Sequence, residues 1–258
     1  MNHNQYIICH NQETILQYLS NKDYNKFYYI FVGNKETNKL KDSCSIICKN
    51  LEHNIEHYPY LCSFTAWYAI SKNNITQSDN ISLIEYDSII KSDLCASNMK
   101  NNEIICYSIT LFDHYVFYKS TPWLAISLKE IYGIDLQQFV DAYKHQYKFW
   151  PTTTNITLPK KILNEFVDWF LPMTKIFRHD PFGAYVHERA FFIFCVLNQV
   201  NIRYMPNILE HKQLASHGIS DFYGSFLHSK NSHQLQPHML KEYDELYANL
   251  DRRCKEEN

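Results

Sequence analysis

The chain has 258 residues, a net charge of −2 and a hydrophobic content of 45 %, enough for one sizeable core. It has no strongly basic segment, which argues against a nucleic-acid-binding protein, since such proteins normally carry clustered lysine and arginine. Only five glycines are present, and neither a G-x-G-x-x-G nor a P-loop pattern occurs. The composition therefore excludes glycine-rich phosphate loops, although a metal ion and side chains can still bind a nucleotide.

Eight cysteines are spread along the chain without regular spacing, and several lie in apolar runs such as Ile7-Ile8-Cys9. This placement predicts buried, reduced thiols and a reducing compartment. Cys44 and Cys48 form the only close pair, and no second pair completes a zinc site. The sequence shows neither an apolar leader nor an apolar run of membrane-spanning length. We therefore expect a cytoplasmic protein without a transmembrane segment, with peripheral membrane contact left open.

The first predicted elements form a βαβ unit. Residues 5–9 are a short apolar run typical of a buried parallel strand, residues 13–19 have helical spacing of apolar side chains, and residues 27–32 predict a second strand. Strand, helix and strand at this spacing predict a parallel sheet with a right-handed crossover.

The later elements extend this sheet and then become mainly helical. The pattern predicts an α/β fold in which an open, mainly parallel sheet is flanked by helices and followed by a mostly helical region. The predicted strands are 45–47, 81–84, 103–111 and 202–205, and the predicted helices are 59–72, 123–132, 136–147, 159–170, 188–199 and a terminal helix beyond 220.

Three polar clusters follow the ends of predicted strands. They are His10-Asn11, Gly33-Asn34 and Glu85-Tyr86-Asp87. Because open parallel sheets bind ligands at the carboxyl ends of their strands, we expect these clusters to converge.

Glu85 and Asp87 are the first candidates for chemistry. Two carboxylates spaced i, i+2 suit a hard divalent cation such as Mg²⁺ or Mn²⁺, which also binds diphosphate oxygens. The alternative is that two acidic residues simply end a strand at the surface.

The order of these segments resembles that of the GT-A glycosyltransferases. "YIICHN" resembles their opening strand, "FVGN" the end of the second strand, and "LIEYD" a variant of their acidic metal-binding triplet. "YPYLCSFTAWYAISKN" is similar to a helix that packs on the donor site. "GAYVHERAFFIFCVL" and "ILEHKQLASH" resemble the acceptor-side helix and the C-terminal histidine segment.

The resemblance covers about residues 5–220. It implies a transferase domain over 1–220, with a nucleotide-sugar-binding half at 1–115 and an acceptor-side half at 116–220, followed by a C-terminal helical tail at 221–258. It also implies Mn²⁺ or Mg²⁺ as cofactor, a nucleotide-sugar donor, and a glycan or other hydroxyl acceptor.

The implied site residues divide by role. The resemblance assigns donor binding to His10, Asn11, Gly33, Asn34 and Glu85. It assigns metal binding to Asp87, His217 and His211, because several of these enzymes supply a histidine from a C-terminal segment.

Glu188 is the implied catalytic base, with Asp180 in reserve. Glu188 precedes an apolar helical run, and an acidic residue at such a helix start deprotonates the acceptor in inverting GT-A enzymes. The usual Glu-Asp pair of the family is absent. The alternatives for Glu188 are a charge that only stabilises the helix and an ion pair with Arg189.

The resulting hypothesis is a GT-A glycosyltransferase of polysaccharide-biosynthesis type, inverting and metal-dependent. A sugar nucleotidyltransferase is the weaker enzymatic alternative, because "CHNQET" lacks the glycine-rich basic loop of those enzymes. A glycan- or nucleotide-binding protein without catalysis is the third possibility.

Overall fold

The structure, a computed structural model, describes residues 3–10, 26–33, 45–86, 88–94, 98–107, 109–111, 122–147, 149–151, 155–179, 183–205 and 208–211. Its strands are β1 (His3–Cys9), β2 (Tyr28–Phe31), β3 (Ser45–Ile47), β4 (Asn80–Glu85), β5 (Ser88–Ile90), β6 (Glu103–Cys106), β7 (Ile109–Leu111), β8 (Phe149–Pro151), β9 (Ile156–Pro159), β10 (Asn201–Tyr204) and β11 (Leu209–His211). Its helices are α1 (Ser63–Lys72), α2 (Pro122–Tyr132), α3 (Leu136–Tyr143), α4 (Lys160–Phe177) and α5 (Gly183–Leu197), with 3-10 turns at Cys48–Asn50 and Pro59–Leu61.

A seven-stranded sheet forms the centre of the described part of the chain, in the order β10-β6-β9-β4-β1-β2-β3. Neighbouring strands are parallel throughout, except that β9 runs antiparallel between β4 and β6. Two smaller antiparallel pairs, β5 with β11 and β7 with β8, lie outside this sheet. The predicted α/β class with an open, mainly parallel sheet is confirmed.

Both faces of the sheet are covered, which is why β1 is apolar at consecutive positions. Tyr6 and Ile8 belong to a large core built with the helices, whereas Ile7 and Cys9 belong to a smaller core on the other face. All four side chains are almost completely buried.

Several predicted helices have different bounds in the structure, including α3, which ends at Tyr143 and not at residue 147. The segment predicted as one helix over 59–72 is a 3-10 turn followed by α1, because Cys62 between them has a positive φ of 42°. Helix α4 continues past Pro172 to Phe177, although a proline predicts an earlier end. The buried side chains of Met173 and Phe177 explain this continuation, since they complete the core beyond the proline.

The strand content also differs from the prediction. The single strand predicted over 103–111 is two, β6 in the main sheet and β7 in a separate pair. Strand β9 was not predicted, although it connects the two halves of the sheet. The predicted helices at 13–19 and beyond 220 lie outside the described residues. No helix in the described ranges is long and apolar enough to cross a membrane.

Candidate functional site

The carboxyl ends of β1 and β2 bring two predicted donor-binding residues together. The amide of Val32 donates to the carbonyl of Cys9 at 2.9 Å, which aligns the two strand ends. Gly33 then adopts a φ of +103°, a conformation that favours glycine. A Cβ at Gly33 would lie 4.0 Å from the carbonyl oxygen of His10. His10 and Gly33 therefore line one edge of the sheet, as expected.

His10 also contacts the segment that follows β4. Its ring packs edge-on against Tyr86 with 5.2 Å between ring centroids. The amide of Tyr86 donates to the carbonyl of Ile8 at 3.1 Å, which joins the end of β4 to β1. Burial lowers the pKa of His10, so this imidazole is neutral at physiological pH.

Glu56 is a carboxylate at this edge that the sequence analysis missed. Its Oε2 accepts a hydrogen bond from the amide of Gly33 at 2.7 Å, and its side chain is largely buried. Its other oxygen, Oε1, is buried with no hydrogen-bond partner among the described residues. Burial raises the pKa of Glu56, although the Gly33 hydrogen bond opposes that rise. A buried carboxylate oxygen without a donor is an unsatisfied acceptor beside a predicted ligand-binding glycine.

Asn155 fixes the backbone around the predicted acidic triplet. Its Oδ1 accepts a hydrogen bond from the amide of Glu85 at 2.7 Å, and its Nδ2 donates to Oγ of Ser88 at 2.8 Å. Asn155 therefore binds the residue before Tyr86-Asp87 and the residue after it. Asn155 is fully buried, so its side chain has a structural role.

Cys62 directly precedes α1 and is within electrostatic range of Glu85. Burial, with a smaller contribution from the charge of Glu85, raises the pKa of the Cys62 thiol to about 11. A thiol with a raised pKa is mainly protonated at neutral pH, which disfavours a thiolate at this position. Its φ of 42° and ψ of −120° are unusual for a residue with a side chain.

Glu188 reaches the same neighbourhood from α5. Burial raises the pKa of Tyr185, and the charges of Glu188 and Cys62 raise it further while Arg189 lowers it. Tyr185 thus lies within electrostatic range of both Glu188 and Cys62. Glu85 acts on Cys62 from the sheet, and Glu188 acts on Tyr185 from the helix, in each case electrostatically.

The structure corrects the predicted placement of Glu188. Helix α5 begins at Gly183, so Glu188 occupies its second turn and not its N-terminus. The helix dipole acts mainly on the first turn, so it does not explain this carboxylate. Glu188 instead lies 3.8 Å from Nη1 of Arg189, the ion pair that the sequence left open. Arg189 also donates to the carbonyl of Tyr185 at 3.0 Å.

His187, next to Glu188, has a fully apolar environment. Its ring lies 4.5 Å from the ring of Trp67 and is also packed by Phe64, Phe166 and Phe170. It is fully buried, and neither ring nitrogen has a hydrogen-bond partner among the described residues. Burial lowers its pKa to about 3. This neutral imidazole anchors α5 to α1 and α4.

The predicted metal ligands lie mostly outside the described residues. Asp87 and His217 are not described, and His211 is described only through the backbone of β11. The register of β11 pairs His211 with Ser88, the residue that follows Asp87 in the chain. No group of three histidine, cysteine or acidic side chains suited to a metal ion occurs within the described ranges.

Some of the predicted site residues lie outside the described residues, and others lie at the edge of the sheet. Asn11, Asn34 and Asp180 lie outside the described residues. The structure brings together His10, Gly33 and Glu85 at one edge of the sheet, and it places Glu188 on α5 in the second turn. Glu56, Cys62, Tyr185 and Asn155 join this edge without a sequence signal that assigned them to it.

Comparison with known proteins supports the fold. The apo structure of the WbbM bifunctional glycosyltransferase is similar to this chain, with a TM-score of 0.52 and 12 % sequence identity. The similarity covers 80 % of this chain and 44 % of that chain, so this chain spans less than half of the length of its structural neighbour. No protein-family model and no curated protein sequence matches.

Proposed function

We propose that this chain is a glycosyltransferase that moves a sugar from a nucleotide-sugar donor to a hydroxyl group of a glycan or related acceptor. The observation that carries this proposal is the grouping of His10, Gly33 and Glu56 at the carboxyl edge of the sheet, with the ring of Tyr86 packed against His10. The similarity of the fold to that of a bifunctional glycosyltransferase supports it.

Glu188 is the proposed catalytic base. Its carboxylate takes the proton from the acceptor hydroxyl as the oxygen attacks the anomeric carbon, and the bond from that carbon to the nucleoside diphosphate breaks. The diphosphate leaves with the bonding electron pair, and the configuration inverts. Glu188 keeps 22 % of its side-chain surface exposed, and its ion pair with Arg189 stabilises the ionised form that a base requires. Asp180 remains the reserve candidate for this role.

The donor nucleoside is proposed to bind between His10, Gly33 and Glu56. The unsatisfied Oε1 of Glu56 is an acceptor for a ribose hydroxyl or a base N–H. A ligand that supplies this donor offsets the cost of burying the carboxylate. Asn11, Asn34 and Glu85 are proposed to complete the donor site.

Mn²⁺ or Mg²⁺ is the proposed cofactor, held by Asp87 with His211 and His217. Carboxylate oxygen and imidazole nitrogen form a donor set that suits Mn²⁺, and the pairing of His211 with Ser88 supports the combination of Asp87 with His211. When bound, the ion would neutralise charge on the leaving diphosphate.

A donor screen followed by transfer assays tests the proposal. UDP-, GDP- and CMP-sugars are added with and without Mn²⁺, and the melting temperature is recorded, because a ligand at 100 times its Kd adds about 2.7 kcal/mol to the stability. The stabilising donor is then used to measure transfer to glycan acceptors.

Two variants and a control test the roles proposed for Glu188 and Asp87. Glu188→Gln should lower transfer by at least about a hundredfold, since a positioned base contributes roughly that much, and Asp87→Asn should lower it because a proposed metal ligand is lost. Glu165→Gln, on an exposed part of α4 where Glu165 pairs with Lys161, should retain the wild-type rate. Full transfer activity in both site variants would contradict the proposal, and indifference to every donor would favour a non-catalytic protein.

A further inference from the structure

A cluster of basic and aromatic side chains borders the candidate site on its helical side. The guanidinium carbon of Arg178 lies 4.8 Å from the centroid of the Tyr58 ring. The ring of His179 packs edge-on against the same tyrosine at 5.6 Å, and the neighbouring His57 ring lies 3.9 Å from it. We call these four residues, His57, Tyr58, Arg178 and His179, the Tyr58 cluster.

The Tyr58 cluster joins two separate elements. Tyr58 belongs to the loop before α1, and Arg178 and His179 directly follow the C-terminus of α4. A ring and a guanidinium at this distance attract each other, so the tyrosine holds the arginine head in one place. Through Tyr58, the cluster connects the loop before α1 to the C-terminal end of α4.

The cationic side of this cluster has no balancing carboxylate in the described part of the chain. None of the described acidic side chains forms an ion pair with Arg178, and its Nε is buried with no hydrogen-bond partner among the described residues. His57 and His179 are exposed beside it. A guanidinium whose donors lack partners is suited to a planar or tetrahedral anionic group.

The loop that carries Tyr58 crosses the carboxyl edge of the sheet. Two residues before Tyr58, Glu56 binds the amide of Gly33 at the end of β2. Four residues after it, Cys62 is within range of the charge of Glu85, and the intervening turn Pro59–Leu61 contacts α5. Four residues span at most about 14 Å, so the Cα atom of Tyr58 lies within that distance of the Cα atom of Cys62.

We propose that the Tyr58 cluster is a substrate subsite that binds an anionic oxygen group, a carboxylate or a phosphate. Arg178 donates to the anion, the ring of Tyr58 holds the guanidinium in place, and His57 and His179 extend the donor surface. The subsite gives the transferase a preference for a charged sugar substrate. That the bound anion is part of a sugar substrate rests on the proposed function. That the cluster binds an anion rests on its geometry alone.

Titration calorimetry with four probes tests the subsite directly. Glucose 1-phosphate, glucuronate and UDP are the anionic probes, and glucose is the neutral one. The anionic probes should bind and glucose should not. Arg178→Gln should weaken anion binding by about tenfold to a hundredfold, the range for a hydrogen bond to a charged group. Tyr58→Leu should weaken it less, because the charge remains while the ring support is lost.

Lys161→Gln is the matched control. It removes one positive charge from the first turn of the same helix, about 25 Å along α4 from Arg178. It should leave binding of every probe unchanged. Equal binding by Arg178→Gln and Lys161→Gln, failure of all three anions to bind, or equal binding of glucose would overturn the proposal.

The probes also distinguish the source of the anion. If binding of glucuronate or glucose 1-phosphate depends on Arg178, the anion belongs to a charged acceptor. If only the binding of UDP depends on Arg178, the anion is the diphosphate of the donor. Either dependence supports the subsite. Because calorimetry needs no turnover, anion binding can stand when no donor gives transfer and the proposed function fails, and the reverse outcome is equally visible.

Discussion

Replacing His187 with leucine should remove part of the protein's sensitivity to acid. In the folded protein, burial among aromatic rings lowers the pKa of this imidazole to about 3, whereas in the unfolded chain it titrates near its ordinary value of 6.5. The unfolded state therefore binds more protons between these values, and the free energy of unfolding falls as the pH falls through this window.

The magnitude follows from the two pKa values. Between pH 7.5 and pH 5.0 the His187 contribution alone lowers the free energy of unfolding by about 2 kcal/mol, which corresponds to roughly 4–8 °C in Tm for a chain of this size. Leucine has a volume similar to that of histidine and no ionisable group. Between the same two pH values, the free energy of unfolding of His187→Leu should therefore fall by about 2 kcal/mol less than that of the wild type.

Urea unfolding of both proteins at the two pH values measures the difference. Phe170→Leu is the control, because it disturbs the same aromatic packing without removing an ionisable group. It should lower stability at both pH values and keep the wild-type pH dependence. If His187→Leu loses as much stability as the wild type between pH 7.5 and 5.0, the buried neutral imidazole is not the cause.

Three further predictions concern the edge of the sheet. Burial raises the pKa of Glu56, so its ionised form is unfavourable in the folded protein. Glu56→Gln should therefore raise Tm more at pH 7 than at pH 4. An equal increase in Tm at the two pH values would contradict this. Cys62→Gly should be more stable to urea than Cys62→Ala by about 1 kcal/mol, because glycine tolerates the positive φ; the reverse order would refute backbone strain. Asn155→Ala should lower the free energy of unfolding in urea by about 2–4 kcal/mol, since it leaves the amide of Glu85 and the hydroxyl of Ser88 without this buried partner. A change near zero would show that the two hydrogen bonds are dispensable.

The sequence predicted the parallel half of the sheet well. β1, β2 and β4 are apolar runs ending in polar residues, and such runs form strands wherever both faces are buried. β9 escaped prediction because Ile156–Pro159 is only four residues long and owes its structure to pairing with β4 and β6. Short strands of this kind depend on distant partners that a local pattern does not contain.

The candidate site was predictable only in part, for the same reason. His10, Gly33 and Glu85 follow apolar strands, so the topology placed them at one edge. Glu56 and Cys62 lie in a loop whose course is set by a hydrogen bond to Gly33 and by packing on α5, and neither is visible as a local pattern. The position of Glu188 was misjudged because the helix begins five residues earlier than its apolar run suggests.

The late position of β9 in the chain, after the strands β4 and β6 that it joins, has a consequence for biosynthesis. β4 pairs with β1 and β9, and β6 pairs with β9 and β10. Until residues 156–159 leave the ribosome, one edge of β4 and both edges of β6 lack their partners, so a growing chain exposes strand edges that favour association with other chains. We expect fragments that end before residue 156 to aggregate, and the full chain to fold only after β9 has been made.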